Sequence, residues 1–115
     1  MRPAAPLLPF VVSLLPATAW TGGFACQGTA PAWTLTLDTP QARFEFPAPT
    51  DMDVMNDIAA EGADWPRALT LIGERDTAIV LLEQEACGGA PFRAHILTQR
   101  GQTPILLTGC CTALE

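Results

Sequence analysis

Four cysteines are the side chains of this chain best suited to chemistry, and their spacing narrows what that chemistry is. Cys26 and Cys87 lie far apart, while Cys110 and Cys111 stand side by side after the apolar run Thr103-Pro104-Ile105-Leu106-Leu107-Thr108-Gly109. A zinc site or a dithiol redox centre calls for Cys-x-x-Cys spacing, and none occurs. An even number of cysteines in a small exported domain reads instead as a disulfide framework, for which four cysteines allow three connectivities. Joining Cys110 to its neighbour Cys111 closes a strained small ring and is set aside. Cys87 then pairs with Cys110 or Cys111, and Cys26 takes the other. Adjacent residues of a strand point to opposite faces, so those two partners approach from different sides.

The remaining reactive groups are sparse. His95 is the one histidine, and alternation puts it with Arg93 and Leu97, opposite Ala94, Ile96 and Thr98. It reads as a lone exposed strand histidine, with no Ser-His-Asp or Cys-His grouping around it. Asp51, Asp53, Asp57, Glu61 and Asp64 form an acidic stretch that reads as a solvated loop, since the glycine of a calcium-binding loop is missing. Trp65-Pro66-Arg67 stands out because a tryptophan between Asp64 and Pro66 sits in a loop. Trp65 reads first as a lid on the domain and second, with Arg67, as a partner-binding anchor. No catalytic grouping, metal site or cofactor site is expected.

Charge and targeting bound the setting. Arginine supplies every one of the 6 cations against 12 acids, for a formal charge of −6. Such a surface repels a phosphate backbone, so nucleic acid is not an expected partner. Residues 1–19 read as a signal peptide: Met1-Arg2, an apolar core from Leu7 to Leu15, then the small-x-small site Ala17-Thr18-Ala19. The apolar core is too short to span ~30 Å of hydrocarbon, and Pro9 and Pro16 interrupt it. Lipidation at Cys26 fits less well, because Gly23 and Phe24 are poor lipobox residues. The expected product is an unlipidated periplasmic or secreted domain from Trp20 to Glu115, with no membrane span.

The elements that must position these residues are strands. Trp33, Leu35 and Leu37 alternate with Thr34, Thr36 and Asp38, and Phe44 and Phe46 with Arg43 and Glu45. This predicts a hairpin turning at Asp38-Thr39-Pro40-Gln41, with the apolar set buried. Trp33 reads as a core plug heading that face. Further strands are expected over Ala68–Ile72, Thr77–Glu83, Arg93–Gln99 and Thr103–Cys111, with turns at Gly73–Asp76 and Arg100–Gln102. Thr50–Ala63 carries mixed helix and strand signals; strand is favoured for Met52–Ile58 because its neighbours are strands. Pro47-Ala48-Pro49 is a rigid corner. Roughly seven or eight short strands predict an all-β fold, a small antiparallel barrel or barrel-like sandwich. A domain of this size gains from covalent staples.

Gly28-Thr29-Ala30-Pro31-Ala32-Trp33 resembles the Gly-Thr-Glu-Pro-Phe-Trp opening of a group of uncharacterised bacterial envelope proteins, predicted membrane or lipoproteins. Their middle cysteine and their Gly-Cys-Cys or Gly-Cys-Ala ending are matched by Cys87 and Gly109-Cys110-Cys111. Ala30 and Ala32 depart from the family's Glu and aromatic, so any role of that Glu is lost. The resemblance implies a periplasmic β-barrel, distantly similar to lysozyme-inhibitor and META-type barrels, and carries no activity. Members ending in Gly-Cys-Ala keep the middle cysteine, which implies Cys87–Cys110 and Cys26–Cys111 pairing. The expected function is non-enzymatic binding of a protein or envelope component. The alternatives are a lipocalin-type small-molecule barrel and an inhibitor of a cationic cell-wall lytic enzyme.

Overall fold

The computed structural model describes residues 23–100 and 103–114. The expected signal segment, the start at Trp20 and the centre of the Arg100–Gln102 turn lie outside the described residues. Eight strands follow one another: β1 Phe24–Thr29, β2 Ala32–Asp38, β3 Gln41–Glu45, β4 Pro49–Ala59, β5 Arg67–Gly73, β6 Thr77–Glu83, β7 Phe92–Arg100 and β8 Thr103–Ala113. Each pairs antiparallel with the next, and β1 pairs with β8 to close the barrel. Closure leaves no sheet edge open to pairing with another chain. The stretch with mixed signals is strand, as favoured, and runs on to Ala59.

Alternation along each strand builds the core. Trp33, Leu35 and Leu37 on β2 and Phe44 on β3 are buried, while Thr34, Thr36, Arg43 and Glu45 face outward. β5 to β8 supply Leu69, Leu71, Val80, Leu82, Ala94, Ile96 and Leu107 to the same cluster. Thr98 is the buried polar residue of this set, and its hydroxyl donates to the Thr77 carbonyl at 3.0 Å. A hydroxyl satisfied in this way carries little of the cost of burying a polar group.

One member of the expected core differs. Phe46 is half-buried, stacked at 6.1 Å on Phe44 but past the end of β3. Pro47 has no N–H to continue the ladder, so the chain leaves the sheet there and Phe46 rests at the rim. β1 and β2 are joined through Ala30-Pro31, directly after the Thr29–Ala32 pair.

The disulfides are Cys26–Cys111 and Cys87–Cys110. Cys26 and Cys111 are register partners on β1 and β8, their Cα atoms 4.0 Å apart, so this bridge closes the barrel seam from inside. Cys110 points to the other face and holds the β6–β7 loop through Cys87, with Cα atoms 5.4 Å apart. Both bridges point to an oxidising, extracytoplasmic setting. Among the described residues, no helix is long and apolar enough to cross a membrane.

Candidate functional site

The barrel mouth that gathers the start of β1, the β4–β5 loop and the start of β7 brings Trp65 and Arg67 together. The loop after β4 is held by the Ala60 amide donating to the Pro66 carbonyl at 2.9 Å. A second bond, from the Ala63 amide to the Ala60 carbonyl at 3.2 Å, tightens it, and Gly62 takes a positive φ of 76° that suits glycine. These bonds direct Trp65 back over the mouth. Its ring lies 5.2 Å from Phe92 and 6.3 Å, edge-on, from Phe24; Phe24 and Phe92 meet edge-on at 5.1 Å. Trp65 is half-buried and packs against the core cluster, so it acts as the expected lid.

Arg67 stands on the inward-facing side of β5, since its register partner on β6 is the fully buried Leu82. Its guanidinium carbon lies 5.5 Å from the centre of the Trp65 ring. A cation in that position is attracted to the ring's negative face. The same guanidinium grips Asp57 with both ends, Nε to Oδ1 at 3.0 Å and Nη2 to Oδ2. Side-chain exposure of Arg67 and Asp57 is 18% and 27%, so water screens this pair less than a fully solvated one.

Asp57 reaches this site because of a bulge in β4. The β4–β5 register slips between Val54 and Asn56, leaving Met55 without a partner. A single inserted residue reverses the alternation beyond it. Asp51 and Asp53 therefore face outward, toward Arg43 and Gln41, while Asp57 shares a side with its partner Leu69. The expected acidic loop is corrected here: Asp51, Asp53 and Asp57 are strand residues, and only Glu61 and Asp64 lie in the loop.

Beneath the aromatic group lies the Cys26–Cys111 bridge, since Phe92 and Cys26 both pair in register with Cys111. The mouth is thus fixed by packing from above and by a covalent bond across the seam. Phe24, Phe92 and Asp57 belong to this site although the sequence pattern alone does not assign them to it. Two adjacent apolar residues, Val54 and Met55, interrupt the period-two pattern and are the local sign of the bulge.

His95 is elsewhere, on the outer face, and it is not alone. Its Nε2 lies 3.1 Å from Glu83 Oε1, across the β6–β7 pair. No cluster of three or more His, Cys, Asp or Glu suited to a metal ion occurs among the described residues. A separate cleft of about 430 Å³ runs along the outer face, between the loop at Gly88 and Ala90 and the outward residues Gln27, Thr34 and Thr36. It is uncharged and has no aromatic wall. Comparison with protein families, with curated proteins and with solved structures finds no match for this chain.

Proposed function

We propose that this chain is a non-enzymatic periplasmic domain that binds a protein or another component of the cell envelope at the Trp65–Arg67 mouth. The observation that carries this reading is the state of Trp65: held by Phe24, Phe92 and Arg67, yet only half-buried. A rigid, part-exposed tryptophan loses little freedom on binding, and tryptophan and arginine dominate binding energy at protein interfaces. Glu61 and Asp64 are exposed beside it and carry part of the chain's net charge of −6. That charge steers a cationic partner toward the domain, and a basic cell-wall lytic enzyme is the specific version of the reading.

A small-molecule barrel of lipocalin type is the less favoured reading. Phe44, Leu35, Leu71, Leu82 and Ile96 are fully buried in the space that such a ligand would need. Eight-stranded barrels of this width are commonly filled by side chains.

The test is affinity capture from periplasmic extract with the oxidised protein as bait, beside Trp65→Ala and Arg67→Ala baits, followed by titration with the purified partner. A partner lost from both variants and released by salt supports the reading. Equal capture by wild type and variants, or a partner bound only by the reduced protein, overturns it.

A further inference from the structure

The Cys87–Cys110 bridge differs from the seam bridge in what surrounds it. Cys26 and Cys111 are 4% and 1% exposed, and both belong to the core cluster. Cys110 is half-buried on the outer face and lines the outer cleft of about 430 Å³. Its partner Cys87 is 4% exposed and does not line that cleft. Beyond Cys87 the chain turns through Gly88 and Gly89, with φ of 55° and 89°, and Cys87 and Ala90 exchange two backbone bonds of 2.8 Å. A Cβ on Gly88 would lie 3.5 Å from Cys110 Sγ, in van der Waals contact. Glycine there leaves that side of the sulfur without side-chain cover.

We propose that Cys110 Sγ is a site of thiol–disulfide exchange, open through this cleft to a small thiol-bearing molecule. Exchange requires a thiolate to reach one sulfur of the bond, and access decides which. The thiolate attacks Cys110 Sγ and forms a mixed disulfide there. The Cys87–Cys110 bond breaks, its electron pair leaves on Cys87 Sγ, and that thiolate takes up a proton from water. One disulfide replaces another, so no oxidant or reductant is consumed. Cys87 Sγ lies 3.5 Å from the Gly109 carbonyl oxygen, which gives the released thiol an acceptor already in place.

The size and lining of the cleft select the thiol. Its volume lies toward the small end of ligand pockets, roughly 300–1,000 Å³, which suits a small molecule. Among the described residues no carboxylate lines it to repel an incoming thiolate. The chain's net charge of −6 favours a neutral or cationic molecule over an anionic one. Exchange stops at one bridge. Cys110 and Cys111 point to opposite faces of β8, so a freed Cys110 cannot turn on the Cys26–Cys111 bond while the strand stays paired. The barrel seam remains locked while the β6–β7 loop is released, which makes that loop a thiol-responsive element. The site is separate from the Trp65 mouth.

Brief incubation of the purified oxidised protein with a cysteamine–cystamine mixture, then acid quenching, alkylation and peptide mapping by mass spectrometry, tests it. Cysteamine should be found on Cys110 and the alkyl group on Cys87, with Cys26–Cys111 intact. In urea that selectivity should vanish and the seam bridge should open as well. Thr112→Phe sets a ring into the cleft two residues along from Cys110 and should slow the exchange several-fold. Thr112→Val, at the same exposed position, should leave it unchanged. Cysteamine on Cys87 in place of Cys110, or a seam bridge that opens at the same rate, would overturn the assignment. So would a folded protein that resists exchange under conditions that open both bridges in urea, or a folded Thr112→Phe that exchanges as fast as wild type.

Discussion

The Trp33 ring occupies the space above Gly109: a Cβ built on Gly109 would lie 2.6 Å from Cζ2 of Trp33. Gly28 is similarly crowded, with its Cβ position 2.7 Å from Cε2 of the same ring. The indole N–H donates to the Thr108 carbonyl at 3.3 Å, so the ring is anchored across the seam between β1 and β8. Two stretches separated by most of the chain, Gly28 to Trp33 and Gly109 to Cys111, thus form one closure. A glycine on each strand admits the tryptophan, and the Cys26–Cys111 bond locks the strands beside it.

Gly109→Ala should therefore destabilise the barrel by at least about 1–3 kcal/mol, the usual cost of overpacking. The neighbour that must move includes the Gln27 backbone as well as the indole ring, which leaves little room for relief. Urea unfolding followed by Trp fluorescence measures the loss. Unchanged stability would show that the seam is looser than these contacts require.

Phe44→Ala should cost about 3–5 kcal/mol, because the ring is fully buried and leaves a cavity. Phe46→Ala should cost clearly less, since Phe46 is half-buried at the rim. Paired denaturation curves test the order of the two effects; the reverse order would mean that the barrel does not end at Phe46.

Non-reducing peptide mapping should recover Cys26 linked to Cys111 and Cys87 linked to Cys110. Chain entropy assigns about 4–5 kcal/mol to the first bridge and about 3 to the second, because their sequence separations are 85 and 23. Replacing Cys26 and Cys111 with serine should accordingly lower the melting temperature more than replacing Cys87 and Cys110. Equal losses would show that the seam bridge stabilises the barrel no more than the loop bridge does.

Asp57 and Arg67 should be coupled by about 1 kcal/mol in a double-mutant cycle, at the upper end for exposed pairs because both are partly shielded. Arg67→Ala should also shift Trp65 emission to the red, since the cation over the ring is replaced by water. An unaltered spectrum would mean that Arg67 does not hold the lid.

Much of the fold follows from local pattern. Alternation over Trp33 to Leu37 and over Thr77 to Glu83 assigns each residue to a face, because a strand has no other way to bury half its side chains. The count of cysteines and the adjacency of Cys110 and Cys111 likewise require that the last strand receive two partners from opposite sides. The mouth could not be read in this way. Asp57 faces Arg67 only because one unpartnered residue at Met55 reverses the side-chain phase, and a bulge of this kind is settled by strand pairing. His95 meets Glu83 across the ladder to the neighbouring strand β6, and Trp65 meets Phe24 and Phe92 from strands farther away in sequence. Periodicity marks which side of a strand a residue occupies, but its neighbours across the ladder depend on register. Register here is determined by closure of eight strands around a shared core, a property of the whole chain and of no single segment.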